Sequence, residues 1–359
     1  MKKLLILTTL TTALTGIAYA ASAQEVTVMS WGGAYGNSQI EAYNKPFAAK
    51  TGIPVTMVAA DNPGRPIKAM VEANNVTIDV ADVEMSDAVR LCDEGLLVPI
   101  DDSMLPPAPD GTVATKDFVD GALTRCAVAS ILWSTVVAYN TNYVNGTPTS
   151  IADFFDLQKF PGKRGMRKGA KANLEMALMA DGVAPADVYS VLATPEGVDR
   201  AFRELDKIKG SVVWWSAGAQ PPQLLADGEV AMTTAYNGRI FNAVVADKQP
   251  FVINWSGQIL DFDLFVVPRG APHEADAMKY IAFATSTEQL AAQAKWISYA
   301  PARKSSVALV GLYKDGKTQM GPHMPTWPAN LETSLTSDFS FWADNGTTLN
   351  ERFNAWLAK

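Results

Sequence analysis

The sequence predicts an α/β protein of two lobes, joined by two crossover strands with a hinge beneath an interlobe cleft. Three observations lead there. Strand-like and helix-like segments alternate from residue 25 to residue 94. The same alternation returns between residues 162 and 247. Two long β-rich runs, 127–140 and 260–267, set these halves apart. Alternating strands and helices build a largely parallel sheet covered on both faces. A β run longer than one lobe needs can continue into a second.

The first segment is a targeting signal. Lys2 and Lys3 are followed by a short apolar stretch, 4–17, and by small residues at Ala18, Ala20, Ala21 and Ala23. That order is the pattern of a secretory signal peptide, with cleavage expected after residue 23. The apolar run is too short for ~30 Å of hydrocarbon. The expected location is therefore periplasmic, with a mature chain of about 336 residues, a length that suits two domains.

The whole chain carries a formal charge of −7 and has no basic run, so it is a poor nucleic-acid binder. Two cysteines, Cys92 and Cys126, remain after export into an oxidising compartment. An even count permits one disulfide, and two buried thiols are the alternative. There are two histidines, His273 and His323, each beside a proline. No zinc-protease, nucleophile-elbow, Walker or dinucleotide fingerprint occurs. No cofactor is expected, and catalysis is not the expected role.

The elements follow in order. Residues 25–31 alternate apolar and polar side chains and read as a strand, and 32–36 are a glycine-rich turn. Helical spacing covers 37–50, a strand 53–58, a short helix 66–74, a buried strand 78–83 and a helix 87–94. In such sheets ligands sit on the turns beyond the carboxyl ends of the strands. That rule selects Trp31 to Tyr35 and Asp82 to Ser86. The run 127–140 is the first crossover, and a second helical region opens at 149–155. Strands are expected at 211–215 and 230–235, and helices at 173–179, 185–192, 195–208, 219–226 and 238–247. The second crossover, 260–267, ends at Pro268; helices follow at 274–284, 288–296 and around 348–357. The lobes are expected to comprise 24–136 with 266–305, and 137–265 with 306–359.

Several stretches are similar to the periplasmic spermidine/putrescine-type (polyamine) solute-binding proteins of ABC importers. They are Ser30-Trp31, the 47–55 segment Phe-Ala-Ala-Lys-Thr-Gly-Ile-Pro-Val, Asp79-Val80, Ile131-Leu-Trp133 with Tyr139-Asn140, Gly228-Glu229-Val230 with Tyr236-Asn237-Gly238, and Asp263 ahead of Pro268. The resemblance covers most of the mature chain. It implies a type II periplasmic binding protein that closes over an amine and delivers it, as a monomer, to a permease. By position it implies cleft roles for Trp31, Glu84, Ser86, Tyr236, Asp261, Asp263 and Tyr299.

The residues themselves add Tyr35, Trp215, Gln220 and Arg239 to the candidate set. Aromatic faces attract an ammonium by about 0.5–2 kcal/mol. A charge-assisted bond to a carboxylate such as Asp263 adds more when water is excluded. An arginine grips a carboxylate through two parallel N–H bonds. The sequence departs from the polyamine pattern where an acidic pair is expected, since the stretch Arg167-Lys168-Gly169-Ala170-Lys171-Ala172-Asn173 is basic, and Arg239 adds another cation. Two ligand readings follow: a polyamine-like amine, or a zwitterionic amino acid or opine. An exported enzyme of small amines is the alternative of another class.

Overall fold

A computed structural model describes residues 25–359. The expected signal peptide lies outside the described residues. The strands are β1 Val26–Ser30, β2 Val55–Ala59, β3 Val80–Glu84, β4 Leu123–Thr124, β5 Ala127–Asn140, β6 Arg164–Arg167, β7 Val212–Trp215, β8 Met232–Tyr236, β9 Phe251–Val266, β10 Ala300–Pro301 and β11 Leu335–Thr336. Their main order is β2-β1-β3-β9-β5-β8-β6-β7. β2, β1 and β3 are parallel at one side, and β8, β6 and β7 are parallel at the other.

Between these two parallel groups lie β5 and β9, antiparallel to each other. β5 spans 14 residues and β9 spans 16. At about 3.3 Å per residue each is long enough to serve both lobes. One end of β9 pairs with β3, and the opposite end of β5 pairs with β8. The register shifts between Ala129 and Ile131 and again between Thr135 and Val137. Such irregularities bend and twist a strand. They bracket the middle of β5, from Ile131 to Thr135.

Two large cores occupy the two sides. The first joins Val26, Val28, Val80, Val83 and Phe47 to Leu264–Val267 and to Tyr280 and Ile281. The second joins Val137 and Tyr139 to Leu174, Met176, Phe202, Met232, Ile259 and the C-terminal Trp342, Leu349 and Phe353. A third, smaller cluster lies between them. It is mainly aromatic, with Tyr35, Trp133, Trp215, Tyr236 and Tyr299 buried and Trp31 packed against them.

Three elements differ from expectation, the first being the expected turn 32–36, where a helix already runs from Gly33 to Gln39. β9 begins at Phe251, nine residues before the apolar run. Asn254 and Gln258 break the apolar pattern there because their amides serve loops, donating to the carbonyl of Ser150 and to those of Pro325 and Asn330. The last helix is Phe339–Leu357, not a single short segment near the end. Asp338 caps it by accepting from the N–H of Phe341, and it packs across on the helix Met85–Asp93 of the first lobe.

Cys92 and Cys126 form the disulfide, with Cα atoms 5.9 Å apart. The bridge ties the helix Met85–Asp93 to the residue before β5. Its reduction is expected to cost about 3–4 kcal/mol of stability, since it closes a loop of 34 residues. Denaturant unfolding with and without reductant measures this, and an unchanged midpoint would contradict it.

Candidate ligand-binding cleft

β5 and β9 present one face to the cleft because alternate strand residues share a face. Ile131, Trp133 and Thr135 face it from β5, opposite Asp263, Asp261 and Ile259 of β9. The two parallel groups bring their βα turns over this floor. From the first lobe come Trp31 to Tyr35, after β1, and Glu84, at the end of β3. From the second come Arg167, Lys171, Trp215, Tyr236 and Arg239.

The first turn is held from below. Ser30 Oγ donates to Gln39 Oε1 at 2.6 Å, and Gln39 Nε2 donates to Asp82 Oδ2 at 2.7 Å. Burial pushes the Asp82 carboxyl up to about 7, against the hydrogen bonds it accepts. Asn237 anchors the other side. Its Oδ1 accepts from the Ser134 N–H at 3.0 Å, and its Nδ2 donates to the Ser298 carbonyl at 2.6 Å. One side chain thus locks β5, β8 and the segment that carries Tyr299.

One narrow cavity, of about 20 Å³, is lined by Trp31, Tyr35, Glu84, Trp133, Tyr236, Arg239, Asp263 and Tyr299. Its walls are edge-packed rings: Tyr35 with Tyr299 at 5.3 Å, and Trp133 with Tyr236 at 4.9 Å. Asp263 accepts from Trp133 Nε1 at 3.0 Å. Burial, and then the negative charges of Asp82, Glu84 and Asp261, raise its carboxyl well above the usual range. Arg239 is 5 % exposed. It donates from Nη1 and Nη2 to the carbonyls of Gly32 and Trp31, each at 3.2 Å, while its buried Nε has no partner.

Two glycines make room for this arginine. A Cβ on Gly33, whose φ is +58°, would stand 2.6 Å from Arg239 Nη1. A Cβ on Gly218 would stand 2.8 Å from the Tyr236 ring and 2.9 Å from Arg239 Nε.

A second narrow cavity, also about 20 Å³, shares Glu84, Trp133 and Tyr236 with the first and adds Arg167, Lys171, Trp215 and Asp261. Here the carboxylates are already occupied. Arg167 Nη1 donates to Glu84 Oε1 at 3.0 Å, and Lys171 Nζ to Glu84 Oε2 at 2.9 Å. Lys171 also lies 2.5 Å from Asp261 Oδ2. Burial alone would raise the Glu84 carboxyl, but Lys171 and Arg167 pull it down to about 2. The Arg167 guanidinium lies 5.7 Å from the Trp31 ring and 5.9 Å from the Tyr236 ring. All these ion pairs join one lobe to the other or to the crossing strands, so the chain is closed over its cleft.

The cleft therefore gathers Trp31, Tyr35, Glu84, Trp215, Tyr236, Arg239, Asp261, Asp263 and Tyr299. Two expectations are corrected. Gln220 is exposed and lines neither cavity; its Oε1 accepts from the N–H groups of Ser216 and Ala217 and closes its own turn. Ser86 lies at the mouth, 3.5 Å from Lys171 Nζ, rather than against the inner cavities. Lys168 is exposed at that mouth. Three inner residues stood outside the candidate set: Trp133, Arg167 and Lys171. Trp133 was visible as a tryptophan in a crossover strand, whose inward face the alternation gives. Arg167 and Lys171 were visible only as cations of the basic stretch 167–173.

A family model described as bacterial extracellular solute-binding protein matches residues 42–326. The gamma-aminobutyric acid-binding protein of Pseudomonas aeruginosa is 44% identical over 348 residues, 96% of this chain and 95% of that protein. A solved GABA receptor is 34% identical, with a TM-score of 0.79, covering 93% of this chain and 98% of that one. The PBP AgtB from A. tumefaciens R10, solved with agropinic acid, is 29% identical with a TM-score of 0.82, covering 94% and 100%.

Proposed function

Because the chain belongs to the bacterial extracellular solute-binding protein family, we propose that its cleft holds a small zwitterion, an ω-amino acid of which gamma-aminobutyric acid is the first candidate. The chain is the solute-binding protein of an ABC transporter. Its homologues are solute-binding proteins rather than enzymes, and the binding reading follows them.

The observation that carries the ligand is the lining of one cavity. It holds Asp263, whose carboxyl pairs with no cation among the described residues, and Arg239, whose Nε has no hydrogen-bond partner among them, between aromatic walls. The ligand ammonium goes to Asp263, flanked by Trp133, Tyr35 and Tyr299. The carboxylate goes to Arg239, with Arg167 above Trp31 and Tyr236. A diamine would place an ammonium against a guanidinium, which like-charge repulsion disfavours. This replaces the polyamine reading with the zwitterion one, in keeping with the ligands in the relatives' names.

Release and capture require the lobes to part about the Ile131–Thr135 and Ile259–Asp263 stretches, where we place the division between lobes. The closed chain then presents its ligand to a permease, as a monomer, after removal of residues 1–23. A thermal-shift titration tests the ligand. Gamma-aminobutyric acid at 100 times its dissociation constant is expected to add about 2.7 kcal/mol. No shift with it, together with a saturable shift from spermidine or putrescine, would overturn the reading.

A further inference from the structure

We propose that Lys171 is a built-in surrogate for a ligand ammonium, and that its presence makes the cleft select ω-amino acids over diamines. This rests on the zwitterion reading only for the identity of the preferred ligand. The cleft has carboxylates enough for two ammonium groups: Asp263 in one cavity, and Glu84 with Asp261 in the other. The second pair is filled by the protein itself. Lys171 Nζ sits 2.9 Å from Glu84 Oε2 and 2.5 Å from Asp261 Oδ2, and its side chain is only 19 % exposed.

Asp261 and Asp263 are two residues apart on one strand, so their carboxylates lie roughly 7 Å apart along the cleft floor. That spacing suits the two ends of a short diamine. A tethered ammonium competes there without the translational entropy a free one loses on binding.

The loop that carries Lys171 is shaped for this. Ala172 adopts φ +70°, a conformation that costs a residue with a Cβ about 1–3 kcal/mol and persists only where the surroundings impose it. Asn173 Nδ2 donates to the carbonyls of Arg167 and Gly169, at 2.6 and 2.8 Å. Asn350, on the C-terminal helix, accepts from the Ala170 N–H at 3.0 Å. The loop is thus held from both sides with its lysine turned into the cleft. Without Lys171, Glu84 keeps Arg167 but Asp261 loses the one cation it pairs with among the described residues.

Calorimetry of the wild type and Lys171→Met with putrescine tests the proposal. The variant is expected to bind putrescine roughly 10- to 100-fold more tightly than the wild type does, the worth of one regained charge-assisted hydrogen bond. A variant with wild-type circular dichroism and cooperative melting, but no gain for putrescine, overturns it. Should Lys171→Met fail to fold, Lys171→Ala is melted at fixed ionic strength in ethylammonium chloride or sodium chloride. A saturable rise specific to ethylammonium supports the surrogate role, and an equal response to both salts overturns it. The ligand reading is judged separately, by wild-type binding of gamma-aminobutyric acid. A putrescine gain in the variant stands even if that binding fails.

Discussion

Replacing Asp263 with asparagine is expected to weaken binding of gamma-aminobutyric acid by at least about 30-fold, or 2 kcal/mol, the lower end for removing one partner of a buried charge pair. Asparagine keeps the shape and can keep the bond from Trp133 Nε1. What it removes is the negative charge. The stability of the ligand-free protein should not fall with the affinity. Asp263 is destabilising to ionise there, because burial and the neighbouring Asp82, Glu84 and Asp261 all oppose its charge. An asparagine has no proton to hold and no charge to repel. The wild-type site has a further signature. Its carboxyl must lose a proton to meet the ammonium, so affinity rises with pH until the raised titration point of the free protein is passed. The asparagine variant loses that slope. Calorimetry of both proteins over pH measures both effects, and equal affinities would remove Asp263 from the site.

The largest expected loss of stability lies elsewhere, at Asp117 and Arg303. Arg303 is fully buried and Asp117 nearly so, with Nη1 and Oδ2 3.1 Å apart. The guanidinium also donates to the carbonyls of Thr285 and Pro106, at 2.6 and 2.9 Å, and lies 4.3 Å over the Phe118 ring. Asp117 accepts from the N–H and Oγ of Ser305. Asp117→Ala leaves an arginine in the interior without its counter-ion, which costs about 3–5 kcal/mol. The exposed Arg200–Asp181 pair is the control, worth about 1 kcal/mol or less. Denaturant unfolding compares the two. A loss under about 1 kcal/mol at Asp117 would contradict this account of the pair. The position has a bearing on the cleft, since β10 lies between Tyr299 and Arg303 and pairs with β5. Loosening Arg303 frees the segment on which a cleft tyrosine sits.

What the sequence made legible follows from which forces act locally. β5 was found to the residue because its 14 positions are mostly apolar or β-branched, interrupted only by Ser130 and Ser134 before the closing Asn140. The turns after β1 and β3 were found because strand ends define the sites of α/β sheets. The first half of β9 was hidden by Asn254, Ser256, Gly257 and Gln258. Their polarity answers to loops distant in sequence, not to the sheet. The terminal helix was cut short by Asn345, Gly346, Thr347 and Thr348, poor helix formers held in place by tertiary packing. Trp342 of that helix donates to the buried Glu175 at 2.6 Å.

The candidate site shows the same division. Asp263 stood out as a charge in an apolar strand, which needs a partner. The neutralisation of Glu84 did not, because Lys171 is 87 residues away. Basic residues at Arg167, Lys168 and Arg239 already pointed to a zwitterion, while the resemblance to polyamine binders set out Glu84, Asp261 and Asp263 as carboxylates of the cleft. Pairing them in space leaves one.

The most direct test of that conclusion is calorimetry with gamma-aminobutyric acid and its two one-ended relatives, butyrate and butylamine. If Asp263 and Arg239 hold opposite ends of one zwitterion, each truncated ligand should bind at least about 100-fold more weakly, because it leaves a buried charge unmatched. Butylamine binding as tightly as gamma-aminobutyric acid would show that no carboxylate is gripped, and would contradict the account.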